Sequence, residues 1–296
     1  MRVSARARWD ALWAGEVDPL VYAILRVGVA TLVLLRVSDW TAPFLQLDHH
    51  AWVSGLDHAP GADPAETPWL EMPLVPGLPS PHGLVAAALA WARLPLAGLV
   101  LLGIRARPAA LLLAIAGYGL MALDAARYFH HLHLLWLSCA LVALTPCDAR
   151  LAVIRRGGPS APRWPLTLWR LQALVIYGAA GLAKLDPRWL DGTSLRLIAE
   201  RFPFEGVFWD AGLGLVGHTG MATAIALWEL ALVPLLAWRK TRLLAVALGL
   251  ALHVVLDTTT MVSTFGASMA LFLVTFLPWE RRLFRTSSRS ADPAST

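Results

Sequence analysis

Apolar residues fall into eight runs separated by short charged or glycine-rich stretches, at about 19–37, 84–103, 108–123, 131–145, 166–185, 221–238, 243–257 and 266–277. They show neither the strict alternation of a half-buried strand nor the one-sided stripe of a soluble amphipathic helix. Most come near the ~20 residues with which an α-helix crosses a hydrocarbon core. The shorter ones can be accommodated by tilt or local bilayer thinning. The pattern predicts an all-α integral membrane protein, a bundle of about eight transmembrane helices. Residues 1–285 read as a single transmembrane domain and residues 286–296 as a disordered tail. Between the fifth and sixth runs, residues 188–220 alternate charges, aromatics and glycines, which predicts an external loop holding one short amphipathic helix.

Composition supports this reading. Hydrophobic residues make up 57% of the 296 and charged ones only 15%, against about 25% charged in soluble domains. The net charge of +5 does not point to nucleic acid, because the basic residues sit in short clusters between apolar runs and not on one polar, aromatic-rich face. With the N-terminus inside, sixteen of them fall in inward-facing segments and four, Arg127, Arg188, Arg196 and Arg201, in outward-facing ones. The bias places both termini in the cytoplasm and predicts a multi-pass protein of the cell inner membrane. The first fifteen residues carry Arg2, Arg6 and Arg8 but no apolar core leading to a cleavage site, so they read as a cytoplasmic lead-in. The loop with His49, His50, His58 and His82 contains no lysine or arginine and should face outward. Two cysteines, Cys139 and Cys147, are too few for a disulfide framework.

The 25 basic residues include only two lysines, Lys184 and Lys240. Unlike arginine, a desolvated lysine can give up its proton and act as a base. Lys184 closes the fifth run near its outer end. The fourth run begins on the same side with His130, His131 and His133, and His253 stands one turn before Asp257 at the outer end of the seventh. Ionisable groups gathered at one depth are what proton transfer requires. Plainer readings compete: Lys184 can snorkel to the interface and be neutralised by Asp186 or Asp191, and the histidines can cap helix starts or bridge carbonyls. The spacing in HHLH also allows a metal pair completed by His253 or Asp257, but it is weak, and no metal is expected. Arg26, Arg93 and Glu229 lie inside runs and are expensive unless paired, so a structural ion pair of Glu229 with Arg26 or Arg93 is expected. A transport pathway through Glu229 and Arg93 is the alternative. Arg170 reads as an inner-face anchor, and Gly178 and Gly181 as a site of close helix packing. Phosphate loops, nucleophile elbows and paired-cysteine motifs are absent from the sequence.

The pattern of Arg170, Gln172, Tyr177, Ala180, Gly181, Lys184, Leu185, Asp186, Trp189 and Gly192 resembles the membrane domain of the vitamin K-dependent gamma-carboxylases and their bacterial relatives, the horizontally transferred transmembrane (HTTM) domain proteins. Weaker matches occur in the same order: Ile24 to Val27, HHLHLL from His130, Glu229 with Leu230, and His253 followed by Phe265 and Gly266. The resemblance implies a reduced, vitamin K-like quinone as ligand, Lys184 as the base that deprotonates it, and His131 as a contact of its head group. It further implies His130, His133, His253, Tyr177 and Trp189 as ligand-binding residues of an outward-facing chamber. Ala183 stands where the eukaryotic carboxylases have a second lysine, and His130 where they have an asparagine. Those enzymes also carry a large luminal region after the membrane domain, so the expectation is confined to the membrane chemistry. It is base-assisted, carboxylase- or epoxidase-like action on a quinone-like, lipid-like or peptide substrate. A non-catalytic membrane partner in the maturation or export of another protein, with Lys184 held in a structural ion pair, is the other class.

Overall fold

The computed structural model describes Trp9 and residues 13–36, 83–123, 129–201, 204–260 and 264–281. Most of the N-terminal lead-in, the loop with His49, His50, His58 and His82, and the tail expected at 286–296 lie outside them. The described residues are mostly helical, and each of the eight apolar runs falls on a helix. The chain divides into two compact units, residues 22–159 and residues 1–21 with 160–296.

In the first unit, α1 (Leu20–Leu35) begins two residues before the boundary and is followed by α2 (Gly83–Leu102), α3 (Ala106–Leu123) and α4 (His130–Ala143). The middle helix α3 packs against both α2 and α4. Leu113, Leu120, Leu135 and Trp136 fill the core, and Gly117 leaves the space that the Trp136 ring occupies. Arg26 of α1 is wholly buried. Its Nη1 donates to the carbonyls of Val100 at 2.8 Å and Leu101 at 2.6 Å, and its Nη2 donates to Leu151 at 2.6 Å. Carbonyls in the last turn of a helix have no intrahelical partner, so Arg26 satisfies the end of α2. A side chain at Gly103 would collide with Ala152 and with this guanidinium. Arg93 of α2, also buried, donates from Nε to the carbonyl of Ala90 at 3.2 Å and lies 5.7 Å from the Trp136 ring centre.

The second unit opens with β1 (Glu16–Val17), antiparallel to β2 (Ala161–Pro162), with Val17 opposite Ala161. It continues with α5 (Trp164–Ala183), α6 (Pro187–Leu190), α7 (Thr193–Arg201), α8 (Val207–Ala237), α9 (Arg242–Thr259), α10 (Phe265–Val274) and a 3-10 turn (Trp279–Arg281). α8 packs on α5 and α9, and α10 on α9 and α5. Among the described residues, α5, α8 and α9 are long and apolar enough to cross a membrane. The two-residue strands are too short to leave an alternating pattern and were not foreseen. α7 is a short helix inside the segment expected to hold one. α8 instead starts at Val207, well before the apolar run, and breaks at Gly217, whose φ of 65° is left-handed. Its first half is helical because Trp209 packs with Leu195 of α7 and Ala222, a tertiary contact that outweighs the poor helix propensity of the glycines around it.

Where α5 and α9 begin and α10 ends, the Arg170 guanidinium donates to Glu280 at 3.0 Å and to the Thr275 carbonyl at 2.8 Å. The anchor role expected of Arg170 thus has a definite partner. Burial, the largest single influence, acts to raise the Glu280 carboxyl, but Arg170, a backbone hydrogen bond and Arg163 together hold the group below its ordinary value of 4.5. A depressed folded-state value contributes stability above about pH 4.5 that is lost as the pH falls through the lower, folded value. Acid unfolding of the wild type is therefore expected to show a titration below pH 4.5 that Glu280→Gln lacks. Melting temperatures measured on both proteins from pH 7 downwards check this.

Candidate functional site

The site is built on the crossing of α5 and α8. A β-carbon added at Gly181 would stand 2.7 Å from Leu230 Cγ and 3.1 Å from the Leu230 backbone nitrogen. One at Gly178 would make an ordinary contact of 3.8 Å with Val233. The close approach is therefore concentrated at Gly181, one turn before Lys184. Gly181→Ala is expected to destabilise the protein by about 1–3 kcal/mol, because the backbone nitrogen cannot give way as a leucine tip can. Gly178→Ala should be close to neutral, and thermal unfolding of the two variants separates the outcomes.

This crossing carries Lys184 to Glu229. Lys184 is the C-cap of α5, and its Nζ donates to Glu229 Oε2 at 2.6 Å. The lysine side chain is 20% exposed and the carboxylate 10%. Nζ also lies 3.4 Å from the Ala180 carbonyl and 5.3 Å from the centre of the Trp189 ring. Trp189 is fixed in turn by its indole N–H, which donates to the Ala222 carbonyl at 2.9 Å. The amine thus has a carboxylate, a carbonyl and an aromatic face, the three kinds of partner that hold a partly desolvated ammonium.

Asp186 and Asp191, the acids nearest in sequence, do other work. Asp186 accepts from the Arg188 N–H at 2.9 Å and Asp191 from the Thr193 N–H at 2.8 Å, capping α6 and α7. The Thr193 bond holds the Asp191 carboxyl below its usual range. Directly after Asp191, Gly192 turns with φ of 83°, and its α-carbon faces the backbone of His218 and Thr219 so closely that no side chain fits. Thr219 Oγ1 closes the contact on the Asp191 carbonyl at 2.8 Å.

Two turns before Lys184 on α5, the Tyr177 hydroxyl and His253 Nε2 are 2.8 Å apart, and both residues are buried. Phe265 packs edge-on against the imidazole. His253 Nδ1 is buried without a protein partner. Tyr177 is within electrostatic reach of Glu229. The Lys184–Glu229 pair, between α5 and α8, and the Tyr177–His253 pair, between α5 and α9, thus lie about two turns apart along α5. Asp257, a turn beyond His253, accepts from the Gly266 N–H at 3.3 Å and ties α9 to the start of α10.

Of the residues singled out in the sequence, Lys184, Tyr177, Trp189 and His253 thus share this unit, and Glu229 joins them. Glu229 was expected to pair with Arg26 or Arg93, but its partner is Lys184. The guanidiniums of Arg26 and Arg93 instead bond to carbonyls of their own unit. The clue available in the sequence was Gly181, whose close packing brings α8 against the turn before Lys184. His130, His131 and His133 belong to the other unit. His131 stacks on Phe129 with ring centres 5.5 Å apart, and His133 Nδ1 lies 3.3 Å from the Tyr118 hydroxyl. Among the described residues, no three of His, Cys, Asp and Glu are grouped closely enough to hold a metal ion.

A helical fold with three apolar helices of spanning length, and a lysine–glutamate pair set on them, defines a membrane protein. The chain belongs to the HTTM domain family, whose model matches residues 64–280. Neither the curated proteins nor the solved structures give a match.

Proposed function

We propose that this HTTM protein takes a proton from the hydroxyl of an apolar, quinol-like ligand, and that the Lys184–Glu229 pair is the acid–base centre. The supporting observation is the 2.6 Å contact between Nζ and Oε2 of two largely buried side chains at the crossing of α5 and α8. In this contact Nζ is the donor and the carboxylate the acceptor, so the oxygen lone pairs that can take up a further proton are those of Glu229. In this mechanism the ligand's O–H bond breaks, its proton passes to the Glu229 carboxylate, and the Lys184 ammonium turns to the oxygen left negatively charged. Lys184 then acts as base only jointly with Glu229, a refinement of the role that the resemblance to the gamma-carboxylases implies. Tyr177 and His253, hydrogen-bonded to each other, supply a second polar contact for the ligand or a route for the proton. In the bilayer we place the chain as eight spans with both termini cytoplasmic, which sets Lys184 towards the outer face of the inner membrane.

Extraction of the purified protein with organic solvent, followed by chromatography of the extract, tests the ligand. A quinone at about one per chain is expected from the wild type, and much less from Lys184→Ala. A quinone-free wild type defeats the proposal.

The three contacts of the Lys184 amine favour a second reading, in which the pair is a staple between α5 and α8 of a non-catalytic membrane partner. It predicts that Lys184→Met with Glu229→Leu, which packs apolar groups in place of the charges, keeps the cellular function. The acid–base reading predicts its loss.

A further inference from the structure

The helix α8 is longer than a membrane needs. Its 31 residues would make about 46 Å of straight helix, against a hydrocarbon core of about 30 Å. Residues 218–237 alone fill that core. The chain leaves helical geometry immediately before them, at Gly217, whose φ of 65° and ψ of −177° suit glycine alone. Residues 207–216 are therefore a separate helix of about 15 Å, too short to cross, joined to the span where the span reaches the bilayer surface. This is the end that carries Lys184. The Ala222 carbonyl, shortly after the break, accepts from the indole of Trp189, whose ring stands beside the Lys184 amine.

Four rows of side chains run along the short helix. Trp209 and Leu213 point into the small core shared with Leu195 of α7 and Ala222. On the opposite side Val207 and Leu215 are 74% and 82% exposed, and Ala211 between them is exposed too. Phe208 and Val216, in the next row, are 51% and 57% exposed. Asp210, which shares the fourth row with Gly214, carries the one charge between residues 207 and 216. About half the circumference is thus apolar and uncovered, a surface that a protein in water rarely leaves open without a use. Past the break the apolar surface continues, with Ala224, Leu227 and Ala231 exposed along the spanning half, the row that a span turns to lipid. Trp189, Phe204 and Trp209 cluster in the small core, and aromatic side chains are enriched at membrane surfaces. A short helix with an apolar half and a polar edge, tied to the end of a span, fits the plane of the interface with its apolar face sunk to the acyl boundary.

We propose that residues 207–216 form an interfacial helix resting on a phospholipid bilayer, with Val207, Phe208, Ala211, Leu215 and Val216 among the acyl chains and Asp210 towards water. The segment that the sequence reads as an external loop is then seated in the membrane, and with it the small core on which Trp189 packs beside Lys184. The inference rests on the spanning of residues 218–237 and not on the acid–base reading of Lys184 and Glu229.

Spin labels on cysteine variants of the full chain, reconstituted in phosphatidylcholine vesicles, test this. Val207→Cys, Ala211→Cys and Leu215→Cys report on the apolar row, and Asp210→Cys and Gly214→Cys on the polar one. All five positions are exposed and a β-carbon at Gly214 meets nothing, so the fold tolerates the changes. Cys139 and Cys147 are buried, and wild-type protein taken through the same labelling gives the background. The ratio of collisions with oxygen, which concentrates in the bilayer, to collisions with a water-soluble nickel chelate is expected to be severalfold higher at 207, 211 and 215 than at 210 and 214. Ratios that favour nickel at all five positions put the helix in water and overturn the proposal. Protection from both reagents at 207, 211 and 215 means that protein covers the face, and ratios that favour oxygen equally at all five mean that the helix lies inside the hydrocarbon. Either result overturns the proposal as well.

Discussion

Glu229→Ala is expected to destabilise the protein by about 3 kcal/mol or more, and by more than the combined change of Lys184→Met with Glu229→Leu. The asymmetry follows from what each change leaves behind. With Glu229 gone, the Lys184 ammonium, 20% exposed, keeps the Ala180 carbonyl and the Trp189 face but loses its only counter-charge among the described residues. An uncompensated buried charge costs about 3–5 kcal/mol, whereas replacing both partners with apolar groups of similar volume is often neutral. Gly181 sharpens the effect. Because α5 and α8 touch there, the crossing cannot open to hydrate the amine without giving up the Leu230 contact. Reversible unfolding in mixed detergent, followed by circular dichroism, measures the three proteins. A single variant no less stable than the double one would show that Lys184 finds water or another anion.

Arg26→Met should be comparably harmful, for a different reason. Among the described residues, Arg26 meets no carboxylate at hydrogen-bond distance. Its two terminal nitrogens serve the carbonyls of Val100, Leu101 and Leu151, of which Val100 also accepts from the Gly103 N–H at 3.1 Å, and its side chain is wholly buried. Methionine fills the space and takes this donor from the Leu101 and Leu151 carbonyls, each costing about 1–3 kcal/mol, so a loss of at least about 2 kcal/mol is expected. Arg26→Lys should recover only part of it, since a single ammonium cannot span acceptors on α2 and on the turn at residue 151. The same unfolding measurement orders the three proteins as wild type, lysine, methionine. A methionine variant equal to the wild type would mean that water reaches these carbonyls.

Helix positions were legible because hydrophobic runs of this length have few other uses, and the runs at 166–185 and 243–257 correspond closely to α5 and α9. Lys184 stood out as one of only two lysines, and Gly181 as the small residue beside it. The identity of its partner was hidden. Glu229 lies 45 positions away, and only the α5–α8 crossing shows that the two meet. Charge arithmetic paired Glu229 with an arginine, the choice that economy of buried charge suggests. It could not foresee that Arg26 would be consumed by carbonyls at the end of α2. The first half of α8 was likewise hidden, because Gly212, Gly214, Gly217 and Gly220 read as loop until Trp209 is seen packed on Leu195. What joins Tyr177 to His253 is also tertiary, since the two lie 76 positions apart.

The central claim is that the Lys184–Glu229 pair takes a proton from an acidic hydroxyl in an apolar site. Its most direct test is the absorption spectrum of a reduced naphthoquinone added without oxygen to the purified protein at neutral pH. The wild type is predicted to show the bands of the deprotonated hydroxyl, and Glu229→Gln to bind the same compound with the spectrum of the neutral form. A neutral spectrum on the wild type, or the same deprotonated bands in both proteins, would contradict the account.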